Sequence, residues 1–187
     1  MDFLLLLINR FYYYVYILKK NFYIQITKIL ISFKKKHIFN SHDLKFLKNG
    51  RIEVGSQLIK GSYVFSSVNL KLKEDNIFKN KYPSKDVEES IFGFDWLNDL
   101  SLLANTKARI IAYGWLCSWL YDYSFEKECK KEINVLVKRQ TNFIHNLNFL
   151  RKTLGEEKFH SFTQKIIAEK IFLNFLINDL DSNFLKL

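Results

Sequence analysis

The residues whose types could support chemistry gather near one histidine. His145 stands in the run Asn142-Phe-Ile-His-Asn-Leu-Asn148, with a further amide at Asn146. An imidazole is the one side chain that ordinarily titrates near neutral pH, so His145 is the natural candidate for moving a proton. On a helix face it reads equally well as a solvated or locally bonded side chain. Lys138, Arg139 and Arg151 form a basic strip on the same stretch. They could meet a carboxylate, and a solvated helix face accounts for them as well. No glycine-rich phosphate loop, HExxH or GxSxG pattern occurs, nor any metal-ligand spacing, so the sequence implies neither cofactor nor metal. Cys117 and Cys129 lack a CxxC or Cys/His context and read as buried thiols in a reducing compartment, hence a cytoplasmic placement.

The elements that must position these residues are mostly helices. The chain has 187 residues, 48% hydrophobic, with 1 Pro and 6 Gly. That suits one domain with a real core and few helix breakers. Val87, Ile91, Phe94, Leu97, Leu100 and Leu103 recur at helical spacing. Asn105 then caps a second helix through Ala108, Ile111, Trp115 and Trp119. Two amphipathic helices with a short polar turn must pack antiparallel. This hairpin holds all three tryptophans, so it should be the core. A long helix is expected from about Phe125 to Lys152, a break at Gly155, and a last helix with Glu156 and Glu157 in its first turn. The fold class expected is therefore mainly α, built of antiparallel helix hairpins, with a small β element. Arg51 to Gly55 and Ser62 to Leu72 alternate with period two and read as short strands, hairpinned around Gly61. The domains are residues 1–36, a basic amphipathic helix; 37–85, strands and a connection; and 86–187, the helical body.

Charge is uneven. The formal net charge is +10, and residues 1–60 hold 11 Lys/Arg against 3 Asp/Glu. Phe11, Val15, Leu18, Phe22, Ile26, Ile29 and Phe33 step along one helical face, with Lys20, Lys28 and Lys34-Lys35-Lys36 off it or after it. This helix either packs on the body, broken near Asn9, or lies peripherally on an anionic membrane. Its longest uncharged aromatic run falls short of the ~20 residues a membrane span needs, and no secretory signal pattern is present. Basic charge and aromatics permit nucleic acid as a partner, but no recognised motif supports it.

Ile91 to Leu100, Ile-Phe-Gly-Phe-Asp-Trp-Leu-Asn-Asp-Leu, resembles the "hGFxWLRDL" signature near the front of bacterial heparinase II/III-like proteins. Gly93, Phe94, Trp96 and Leu97 carry it. Ala108-Arg109, Trp115 and Trp119 follow one helix later, as in that family. Upstream stand Asp43-Leu44, a Gly61-x-Tyr63-x-Phe65 strand and Pro83-Ser84. The resemblance spans about residues 41 to 150. It implies the start of an α/α toroid, an anionic polysaccharide as substrate class, and lyase chemistry by β-elimination. In such lyases Asn and His neutralise the uronate carboxylate, while Tyr and His move protons. Within this chain the only residues offered for those roles are His145, Asn146 and Tyr113. The family's catalytic segments come later than anything found here, and Phe92 stands where the family has His. The expectation is a truncated or divergent N-terminal domain without catalytic activity alone; the alternative is a membrane-surface or protein-interaction helical module unrelated to carbohydrate. A toroid left open should bare an apolar flank on the last helix, around Phe159, Phe162, Ile166, Ile171, Phe172, Leu173, Phe175 and Leu176, and self-associate or dock a missing portion.

Overall fold

The computed structural model describes residues 2–33, 50–72 and 76–184. The Asp43-Leu44 pair and the Lys34–Lys36 run lie outside the described residues. The order is α1 (Asp2–Phe33), α2 (Ile52–Ile59), β1 (Tyr63–Phe65), β2 (Val68–Leu70), α3 (Lys85–Phe92), α4 (Asp95–Leu103), α5 (Thr106–Asp122), α6 (Phe125–Glu128), α7 (Ile133–His145) and α8 (Leu147–Phe184). The fold is mainly α, and its small β element is one antiparallel pair in the register Tyr63 to Leu70.

The tryptophan hairpin forms the main core, as its spacing predicts. Asn105 caps α5 by accepting a hydrogen bond from the Ala108 N–H at 2.9 Å. Trp96 and Trp115 meet edge to face at 5.0 Å, and Phe94 meets Trp119 likewise at 5.1 Å. The first arm, however, is two helices. It breaks at Gly93-Phe94, where Phe94 takes a left-handed φ of 66°. Gly93 is required there for space: a Cβ would fall 2.7 Å from the Glu89 carbonyl oxygen and 2.8 Å from Cδ of Lys138 on α7. A left-handed Phe costs about 1–3 kcal/mol. Full burial of its ring between Trp96, Trp119 and Phe162 offsets that cost.

Three local expectations are corrected. Arg51 to Gly55 is not a strand but the start of α2, whose buried Gly55 and Leu58 face α4. A Cβ on Gly50 would meet the Asn98 carbonyl oxygen at 2.3 Å, and one on Gly55 the Asp99 carbonyl oxygen at 2.5 Å. These glycines permit close helix contact, which period-two counting misses. The hairpin turns at Ser66-Ser67 (φ 47° and 64°), while Gly61 (φ 80°) ends α2 in a Schellman-type cap with Ser62 N–H donating to Gln57. The long helix over 125–152 is split: Ser124 caps the one-turn α6, and α7 begins only at Ile133. The break at Gly155 is present, with φ 72° and ψ 166°.

The front helix packs on the body, but not through the face that its apolar spacing picks out. α1 runs unbroken through Asn9. It packs on α8 through Ile24 and Tyr23, the latter stacked on Phe175 at 5.2 Å. The face carrying Phe11, Leu18, Phe22 and Ile29 points outward instead. In consequence Phe172, Leu173 and Leu176 are buried with Ile24, so the part of the expected bare flank that they form is covered by α1.

These contacts fix the outcome of three substitutions. Trp96, 1% exposed, donates its indole N–H to the Ile91 carbonyl at 3.1 Å, so Trp96→Ala should cost about 3–5 kcal/mol in urea unfolding. Gly55→Ala should destabilise by about 1–3 kcal/mol through overpacking. Gly114→Ala, in the helical interior of α5 with nothing within 4 Å of the added Cβ, should instead stabilise by up to about 1 kcal/mol.

Candidate functional site

A cluster of charged side chains lies inside the molecule. Arg139, in the middle of α7, is 0% exposed. Its Nε donates to the Phe92 carbonyl at 2.8 Å, the last residue of α3. Its Nη1 lies 2.5 Å from Glu169 Oε1 on α8 and 2.5 Å from Glu128 Oε2 at the end of α6. Both carboxylates are also fully buried. The guanidinium stacks over Trp119 at 4.8 Å and over Phe94 at 5.1 Å from the ring centroids. Lys165, one turn before Glu169, sets its ammonium 3.8 Å over the same Trp119 ring and donates to the carbonyls of Trp119, at 2.9 Å, and of Tyr123 at the end of α5.

Two cations and two carboxylates thus share one apolar chamber. Burial pushes the Glu169 carboxyl up to about 7, against the pull of Arg139. Burial also draws the Lys165 ammonium down to about 8, against the pull of Glu128 and Glu169. The arrangement ties α3, α5, α6, α7 and α8 together. It leaves Arg139 no donor directed at solvent, so the expectation of Arg139 as a surface contact for a polyanion is corrected. The other two cations of that strip are partnered: Lys138 with Asp95 at 2.7 Å, and Arg151 with Glu156 at 3.4 Å while it lies over Phe159.

Beside the chamber a groove of about 470 Å³ opens between α3 and the α6–α7 turn. Phe92, Tyr123 and Val135 form its apolar wall. Four lysines and four glutamates line it, so it carries no net charge. Several pair across it: Lys131 with Glu88 at 2.5 Å, and Lys85 with Glu132 at 2.6 Å. Lys131 also sits 3.6 Å over the Phe92 ring.

The three residues offered for lyase roles have different surroundings. Asn146 is buried and donates to Asn98 Oδ1 at 2.6 Å and to the Asn142 carbonyl at 2.8 Å. Asn142 in turn donates to the Gly93 carbonyl at 2.8 Å and accepts from Asn98 at 2.8 Å. This amide ladder fastens α7 to the α3–α4 break, so Asn146 serves packing. Tyr113 is exposed on α5, with the Lys158 ammonium 5.4 Å from its ring centroid. It shares a shallow depression with Thr106, Arg109, Ile110 and Thr153, whose walls include neither His145 nor Asn146. His145 is half-buried at the end of α7. Arg109 is thus brought to Tyr113, whereas Gly93, Phe94, Trp96, Leu97, Trp115 and Trp119 go to the core.

Sequence reading missed Glu128 and Glu169 as partners of Arg139, and Lys165 as a second cation beside them. The available signal was a charge on a core-facing stripe: Glu169 falls in step with Phe162, Ile166 and Leu173, and Arg139 with Leu136 and Phe143.

The chamber makes stability depend on pH. Glu169 has an ordinary value of 4.5 and a folded value of about 7, so the folded state holds its proton longer than the unfolded state. Its contribution is therefore fully present below pH 4.5 and is lost as pH rises through about 7. Urea unfolding across that window should show the loss, and Glu169→Gln should flatten it. Arg139→Ala, which strands two buried carboxylates, should cost about 3–5 kcal/mol.

Comparisons with protein-family models, with curated proteins and with solved structures found no match for this chain.

Proposed function

We propose that the chain is a divergent heparinase II/III-like N-terminal domain, related to polysaccharide lyases, that acts as a scaffold and performs no β-elimination by itself. The observation that supports this reading is the use made of the signature residues. Phe94, Trp96, Leu97, Trp115 and Trp119 are all buried in one core cluster, and Phe94 and Trp119 clasp Arg139. A signature used in this way is a packing code, and a domain that keeps it can hold its shape after chemistry is lost.

β-Elimination on a uronate needs a base within hydrogen-bond reach of the sugar proton and a group that neutralises the carboxylate. Asn146 is committed to Asn98 and to the α7 backbone. Tyr113 opens onto a depression of about 250 Å³ with Arg109, and His145 is not in its wall. The neutral groove beside α3 offers an anionic polysaccharide no net attraction. The cytoplasmic placement expected from the cysteines belongs to the same proposal; burial pushes the Cys129 thiol well above its ordinary range, which suits an inert, reduced side chain.

The purified chain should release no unsaturated uronate from heparin, heparan sulfate or alginate, followed by absorbance of the product. Turnover that survives purification and disappears in His145→Ala would overturn the reading and make His145 catalytic.

A further inference from the structure

We infer that α1 is a docking surface for an anionic lipid bilayer, on which it lies flat while still fastened to the body. The inference is independent of any kinship to lyases and rests on how the helix divides its circumference. At about 100° per residue, Phe11, Leu18, Phe22 and Ile29 fall within about 20° of a single line. All four are more than half exposed, from 55% at Ile29 to 68% at Leu18. The buried positions, Ile24 and Thr27, lie on the opposite side, where α8 packs. The outward stripe runs about 27 Å from Phe11 to Ile29 at 1.5 Å per residue. Tyr14 is exposed about 60° around from the stripe, and a ring with an apolar body and a polar tip suits the headgroup level of a membrane.

Charge selects the occupant. Arg10 and Lys19 border the stripe on its two sides, and Lys34-Lys35-Lys36 follow the helix in sequence. No acidic residue occurs between Asp2 and Asp43. Two such helices laid stripe to stripe would bring cation against cation, which disfavours a second copy. An anionic headgroup layer complements both the apolar stripe and its basic borders. Among the described residues no helix is long and apolar enough to cross a membrane, so α1 would lie in the interface plane. The stripe is on the side of α1 opposite the α8 contact.

Flotation of the full chain with vesicles tests this. Binding should be seen with mixed phosphatidylglycerol and phosphatidylcholine vesicles, should be weak with phosphatidylcholine alone, and should fall as salt rises from about 0.1 M to about 0.5 M. The triple substitution Phe11→Ser, Leu18→Ser, Phe22→Ser should weaken binding by about tenfold or more, with the circular dichroism and urea midpoint unchanged. Arg10→Gln with Lys19→Gln, which leaves the stripe intact, should weaken anionic binding and blunt its salt dependence. Three results would overturn the inference: no flotation with the anionic vesicles; flotation that the triple variant retains in full; or a wild-type dimer in light scattering that the triple variant makes monomeric without any vesicle binding, which would assign the stripe to a second copy.

Discussion

A buried guanidinium is the constraint that the other elements answer to. Arg139 is fully buried, and a charge so placed is tolerable only when it is paired; its Nε and Nη1 find partners while its Nη2 has none. Meeting that demand calls on Glu128 from α6, Glu169 from α8, the backbone at the end of α3, and the faces of Trp119 and Phe94. No one of these comes from α7 itself. The helices that contribute them are thereby held at fixed positions around α7. Replacing a buried ion cluster by an apolar core of the same volume is often neutral or stabilising, so such a cluster is weak evidence for added stability.

The break between α3 and α4 belongs to the same arrangement. The left-handed turn at Phe94 aims the ring at Arg139 and frees the Phe92 carbonyl to accept from it. The missing Cβ of Gly93 lets α7 approach, and Asn142 closes on the Gly93 carbonyl. Sequence features that read as a short linear motif are thus one three-dimensional joint: a glycine for proximity, a strained aromatic for direction, and tryptophans for filling. That economy is why the motif's residues are used in packing.

Helical content, the tryptophan core, the cap at Asn105 and the break at Gly155 were legible because each depends on local spacing or on a single residue's conformational preference. The errors have a common physical source. Gly50, Gly55 and Gly93 matter for what approaches them from distant elements, and sequence periodicity holds no such information. Arg51 to Gly55 therefore looked like a strand until α4 was seen against it. Arg139 was assigned to solvent because a lone charge suggests exposure, although its stripe was otherwise apolar. The face of α1 with Phe11, Leu18, Phe22 and Ile29 reads from its spacing as facing either the body or a membrane, and the contact with α8 uses Ile24 and Tyr23 instead. Apolar periodicity finds a face but does not say whether protein or another apolar phase covers it.

The claim that the Arg139 cluster holds the helices in register is tested most directly by a double-mutant cycle in urea unfolding between Arg139→Met and Glu169→Met. If the two side chains form one buried unit, each single change should be strongly destabilising and the pair should recover much of the loss, with a coupling of about 2 kcal/mol or more. Additive losses, within about 0.5 kcal/mol of the sum, would contradict the account.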